Sequence, residues 1–512
     1  MAPPIDLSTS ISSLDRSIAI PGFIATLILA GALLRKTKKR SDVPLPPSPA
    51  GAHWLNGHAF PQPYPFLQVE RWIEEYGPVI TVKQGRQTVV IVGRHQAAFD
   101  IMEKQGGSSV DRPRTVAAGE ILSGDHRLVF TGAGDRFKRM RKAVHSHLQP
   151  KAAESYETIQ LAHVRRVILN ILDRPGDFQL HAKAYAASVV LQVAYGKMTP
   201  TSASDPDVQA VHRALDHVRV ALQPNAYLVD SFPFLKYIPW YANDLKEGYK
   251  ADSELYMRKL TTVREQIKSS DAGPSFSRFL LETTGEHKLN KHEMAYLAGT
   301  FFAAGSDTTS LAICTVFMCA ALFPQAQAAV QEELDSVIGR DRLPTFSDER
   351  SLPRLKAFIS EALRWRPIVA MGIQHRTTED VFWGNYCIPA GTTVVGNHWA
   401  ISRDPEVFPN PERFDPQRWI NSKGQMRDDL KYFTFGFGRR VCPGQHVANR
   451  SVFINGAMVM WSFRLSTLTP PADDMVFMSG VTPVKRVCDI KFEPRVSEKD
   501  LRAMIENYGD DL

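Results

Sequence analysis

Cys442 is the residue best placed to do chemistry. It lies in FGFGRRVCPG (Phe435 to Gly444), where glycines, a proline and two arginines crowd one thiol, and the helical run QHVANRSVFINGAMVMW follows. The segment reads as a tight loop feeding a helix N-terminus. Backbone N–H donors and the positive end of a helix dipole both lower a thiol pKa, which primes such a cysteine to be a metal ligand or a nucleophile. Nucleophilic use needs an adjacent base, and His446 is the candidate, four residues on. Cys314, Cys319, Cys387 and Cys488 have no comparable flanks and read as buried free cysteines. The five are too few and too scattered for a disulfide framework, and no pair has the CxxC spacing of a zinc site.

Three other groups could do chemistry. SEALRWRP holds Glu361 and Arg364, an i,i+3 pair on one helix face. Ala304-Gly305-Ser306-Asp307-Thr308-Thr309 sets an acid and hydroxyls in an otherwise apolar helical run, which favours a functional role over an ordinary small-residue packing face, and its Gly and hydroxyls predict a local opening of the helix. DRFKRMRK carries Arg136, Lys138, Arg139, Arg141 and Lys142. Phosphate loops, the GxSxG elbow and GxGxxG after a strand are absent from the sequence, and His292-Glu293 fails as HExxH because Tyr296 holds the fifth position.

Phe435, Gly438, Arg440, Cys442 and Gly444 fit FxxGxRxCxG, and on this loop the chain resembles the cytochrome P450 family. The resemblance extends in order through Ala304–Thr309, Glu361/Arg364 and Pro411-Glu412-Arg413-Phe414. It implies haem b with Cys442 as axial thiolate, which pushes electron density to the iron and favours O–O cleavage. Phe435, Gly438 and Gly444 would shape the loop against the cofactor. Arg141, Arg376 and Arg440 would hold the propionates, and Arg413 would complete a buried Glu361–Arg364–Arg413 cluster. Thr308 would order water for oxygen activation, with Asp307 relaying protons. Where many relatives have Trp, this chain has Phe137, which shifts propionate anchoring toward Arg141. The basic cluster beside it suits an acidic redox partner, although a solvated helix face would look the same.

The implied activity is insertion of one oxygen atom of O2 into a hydrophobic small molecule, with a terpenoid or comparable specialised metabolite the expected substrate. Electrons would come from NADPH through cytochrome P450 reductase, with cytochrome b5 as an optional second donor. Two alternatives stay open: a haem-thiolate isomerase or dehydratase without net oxygenation, and a haem-binding module without turnover. The Asp307–Thr308 pair argues against both.

These residues must be positioned by a body of helices and a few strands. Helical patterns cover 152–172, 208–222, 249–267, 291–323 and 324–338, while 81–93 and 381–395 are strand-rich, the second around a Gly384-Asn385 turn. Mixed content without βαβ alternation predicts a mainly α (α+β) fold, by resemblance a long central helix over the haem plus small sheets. At 44% hydrophobic and 22% charged, the 512 residues can bury a large core. The net charge of +7 is nearly accounted for by five bases in RKTKKR, which argues against nucleic-acid binding. Ile18 to Leu34 is free of charge, rises about 25 Å as a helix and is followed by that basic cluster, so it reads as a membrane anchor with everything after Arg40 cytosolic. The expected organisation is a lumenal N-terminus (1–17), a transmembrane helix (18–34), a basic and proline-rich hinge (35–50) and the catalytic domain (51–512). It would be held on the endoplasmic reticulum membrane as a single-pass protein. Substrate-pocket segments are expected at 110–132, 224–240, 301–304, 368–371 and 477–481, all apolar-rich.

Overall fold

In the computed structural model, residues 43–507 are described, except 55, 86, 198–200, 224–225, 468–474 and 476–487. The expected anchor at 18–34 and the pocket segment at 477–481 lie outside the described residues. The principal helices are α1 (Pro65–Tyr76), α2 (Asp135–Leu148), α3 (Glu157–Asp173), α4 (Phe178–Tyr195), α5 (Pro206–Ala221), α6 (Asn243–Lys268), α7 (Lys291–Leu322), α8 (Pro324–Ile338), α9 (Pro353–Trp365) and α10 (Gln445–Ser462). Four strands, β1 (Val79–Gln84), β2 (Gln87–Val92), β3 (His375–Arg376) and β6 (Thr393–Gly396), form one sheet in the order β1-β2-β6-β3. Two antiparallel pairs make up the other strands among the described residues: β4 (Val381–Trp383) with β5 (Tyr386–Ile388), and β7 (Phe463–Thr467) with β8 (Ile490–Pro494).

The 32-residue α7 organises the rest. Its start is set by a capping box in which Asn290 Oδ1 accepts from the Glu293 N–H and Glu293 Oε2 accepts from the Asn290 N–H, each at 2.9 Å. It ends before Pro324, which opens α8. Among the described residues this is the one helix long and apolar enough to cross a membrane, yet it is core: apolar all round and packed against α4, α6, α9 and α10. The two interior glycines serve close packing. A Cβ at Gly299 would lie 2.2 Å from the Tyr256 ring of α6, and one at Gly305 would lie 2.8 Å from Val190 of α4.

The local opening expected at the Gly-Ser-Thr stretch is not found. The helix is continuous there, and the hydroxyls of Ser306, Thr308 and Thr315 instead donate to carbonyls four residues earlier, at 2.7, 2.7 and 2.9 Å. The expected helix from 152 to 172 is interrupted at Ser155 and Tyr156. The part of the hinge after residue 43 is docked on the body: Pro47 O accepts from Thr81 N (2.7 Å), Pro44 O from Cys387 N (2.9 Å), and Pro49 O contacts His58 Nε2 at 3.0 Å. Proline's fixed φ keeps this stretch extended, which suits pairing along a sheet edge. The folded body therefore begins several residues before 51.

Candidate active site

The Cys442 loop is shaped by backbone. Phe435 O accepts from the Cys442 N–H at 2.8 Å, and the turn Gly438–Arg440 leads into the cysteine. Gly438 has φ +50°, and a Cβ there would lie 2.7 Å from Met102 O, so a side chain is excluded twice over. A Cβ on Gly444 would come within 3.9 Å of the sulfur. Cys442 is half-buried. Burial pushes its thiol up, against the Gly444 and Gln445 N–H groups and Arg141, which stabilise the thiolate. The drop expected from the helix N-terminus is thus outweighed by desolvation. Burial, with His145 nearby, pushes the His446 imidazole down, and no hydrogen bond joins His446 to Cys442 among the described residues.

Glu361 and Arg364 are both fully buried on α9. Glu361 accepts from Arg364 Nε and Nη2 (2.8 Å each), Asp415 N (2.9 Å), Trp419 Nε1 (3.0 Å) and Arg418 Nε (3.1 Å), and these donors hold its carboxyl below its ordinary range against the cost of burial. The third member of the cluster is therefore Arg418, not Arg413. The Arg413 side chain is exposed, and the residue contributes its carbonyl to Arg364 (3.5 Å) and Arg418 (3.3 Å). Two Pro-x-Arg-aromatic segments stand five residues apart, 411–414 and 416–419. Only the second falls on the turn that faces Glu361.

On α7, Ala304 is exposed in the middle of the helix and Thr308, one turn on, is half-buried, so this part of the helix is open among the described residues. Asp307 is buried, and His212 Nδ1 of α5 lies 2.7 Å from its Oδ1 without an aligned hydrogen bond. Nothing in the spacing of α5 marked His212, because the contact depends on how α5 crosses α7.

Beside the cysteine loop lies a group of cations. Arg440 is buried, donates to Val110 O (2.7 Å) and Thr131 O (2.8 Å), and stacks 3.6 Å above the Phe137 ring. Phe137 thus supports the cluster through Arg440, a role its sequence position did not reveal. Arg141 donates to Val441 O, next to Cys442. Arg112 is buried and donates to Val129 O at 3.0 Å and to Gln374 O. His375 Nδ1 contacts Ser109 O at 2.9 Å. Burial pushes Arg112 down to about 9 and Arg440 to about 10, with neighbouring guanidiniums adding to the shift and Asp111 opposing it. Burial, then Arg112 and Arg440, drive His375 down to about 3. The Arg376 side chain is largely exposed and lies 3.8 Å from Asp111, while strand alternation turns its neighbour His375 inward. In the basic cluster, Arg136 is held by Glu293 at 2.7 Å, while Lys138 and Lys142 are exposed.

Comparison with known proteins decides the family. The model of the family described as Cytochrome P450 matches residues 46–487. The chain belongs to the cytochrome P450 family. It is 46% identical to cytochrome P450 monooxygenase 64 of Postia placenta over 489 residues, covering 94% of this chain and 98% of that protein. Cytochrome P450 monooxygenase 113 of the same fungus is 47% identical over 473 residues, 92% and 95% of the two chains. Cytochrome P450 monooxygenase claR of Ampulloclitocybe clavipes is 31% identical over 504 residues, 96% and 92%. The chain is accordingly a P450 monooxygenase that binds haem b through a cysteine thiolate.

The residues fit that group. Arg112, Arg141, Arg440 and Arg376 are four cations with one carboxylate, Asp111, among the interactions described above, a surplus that propionates would offset. Of the P450 site residues named from sequence, Cys442, Phe435, Gly438, Gly444, Arg440 and Arg141 come together around the loop. Arg376 joins them through Asp111, and Arg413 does not. Arg112, His375, Arg418 and His212 were missed, each brought in by a tertiary contact rather than a motif.

Proposed function

We propose that this P450 is a membrane-anchored monooxygenase that hydroxylates or otherwise oxidises a hydrophobic specialised metabolite, a terpenoid or similar compound, using electrons from NADPH through a reductase. Haem, when bound, supplies the activation of O2. In this reading Cys442 provides the axial thiolate, and the Gly444 and Gln445 N–H groups and Arg141 offset part of the cost of burying its charge. Arg112, Arg141, Arg440 and His375 hold the propionates. Thr308 keeps water ordered beside Ala304, and Asp307, in contact with His212, holds the proton that Thr308 passes on. The buried Glu361–Arg364–Arg418 cluster fixes the segment behind the loop.

The observation that carries the reading is the surplus of buried cations beside a cysteine whose sulfur receives backbone N–H groups. An anchor at 18–34 in the endoplasmic reticulum membrane agrees with exposed apolar side chains elsewhere: Leu228, Phe234, Tyr237 and Trp240, 60% to 77% exposed, form a patch suited to lipid. The test is a reduced carbon monoxide difference spectrum of wild type and Cys442→Ala. The wild type should show the red-shifted Soret band of thiolate ligation, and the variant should lack it. A histidine-type spectrum in the wild type would remove the assignment.

A further inference from the structure

The second wall of the cysteine loop is a stretch with no recognised motif, residues 99–112. It opens with a π-helical turn, Phe99–Lys104, and continues through Gln105, Gly106 and Gly107. Gly106 and Gly438 meet backbone to backbone, since a Cβ on either would lie 3.3 Å from the other's Cα. At this contact the Gly438 N–H donates to Glu103 Oε1 at 2.9 Å. Two residues on, Arg440 Nε donates to Val110 O at 2.7 Å. Both ends of the turn Gly438–Arg440 are thus tied to one segment, by a carboxylate at one end and a carbonyl at the other.

The loop needs such a tie. Gly436 and Gly438 have φ of +82° and +50°, and glycines at positive φ carry the largest conformational freedom to be lost. A carboxylate accepting a backbone N–H makes a charge-assisted bond, stronger than a neutral one. We propose that Glu103 is a positioning residue for the axial ligand: by holding Gly438 it fixes the turn that delivers Cys442, and so sets how long the thiolate stays on the haem iron. This rests on Cys442 being the ligand.

The test follows the decay of the thiolate-type carbon monoxide spectrum at fixed temperature in the haem-loaded wild type, Glu103→Ala and Glu103→Gln, with far-UV circular dichroism recorded in parallel. Loss of the bond predicts decay about tenfold faster in Glu103→Ala; Glu103→Gln keeps an acceptor oxygen without the charge and should decay about threefold faster. Helix content should be unchanged over the same interval. If Glu103→Ala folds poorly, Glu103→Gln carries the test. Decay within error of wild type in the folded variants would overturn the proposal, as would decay that merely tracks loss of helix. A wild type without the thiolate band would overturn the ligand assignment instead, so the two failures are distinguishable.

Discussion

The two sides of the site are held in opposite ways. Around Cys442 and Glu361 the polar groups are fixed by bonds from other elements: Glu361 takes five donors from α9 and the 415–419 turn, and the cysteine loop is tied to α2 and to residues 103–112. On α7 the hydroxyls of Ser306 and Thr308 bond only within their own helix in the contacts described, and Asp307 meets His212 without hydrogen-bond alignment. A ligand that must not move calls for cross-bracing from several elements. Groups that must take up and release protons and water work better with local, easily remade contacts.

If that contrast is right, damage to the braced side should abolish the holoenzyme and damage to the open side should only slow it. The largest effect belongs to Glu361→Gln. It leaves Arg364 and Arg418 as buried cations without their anion, so haem content, measured spectroscopically on purified protein, should fall to near zero. Next is a contrast between two arginines: Arg418→Ala should lower haem content severalfold, whereas Arg413→Ala, with its side chain in solvent, should leave it within experimental error. Equal losses would show that the brace is wrongly assigned.

On the open side, Asp307→Asn should load haem normally but slow reductase-supported NADPH oxidation about 100-fold, the usual scale for a lost proton-transfer group. Haem loss in this variant would break the contrast. The smallest effect is expected for His212→Leu, about tenfold on the same rate. A double-mutant cycle with Asp307→Asn in thermal unfolding should return a coupling of about 1 kcal/mol. No coupling would mean that the 2.7 Å contact is not an interaction in solution.

How much of this was legible beforehand follows the range of each signal. The paired strands at 79–92 and the helices at 206–221, 243–268 and 291–322 were visible because strand-forming residues between glycines and long helical patterns free of strong breakers are local properties. The cysteine loop was visible because a ligand between close-packed backbones demands glycines at set offsets. His375 against Arg376 was not, since strand twist and register decide which of two neighbours points inward, and both can bind a carboxylate.

By itself, then, the sequence determined the chemistry: one cysteine with a loop built to present it, an acid beside a hydroxyl on an apolar helix, and a carboxylate one helical turn from an arginine. Only the tertiary structure decided which partners complete each group: Arg418 for Glu361, His212 for Asp307, Glu103 for Gly438, and Arg112 with His375 for the cationic pocket. The reason is physical. A residue's type and its neighbours within a turn fix what it can donate, accept or ligate, but which charge it meets depends on how distant segments cross, and that is settled by burying apolar area over the whole fold.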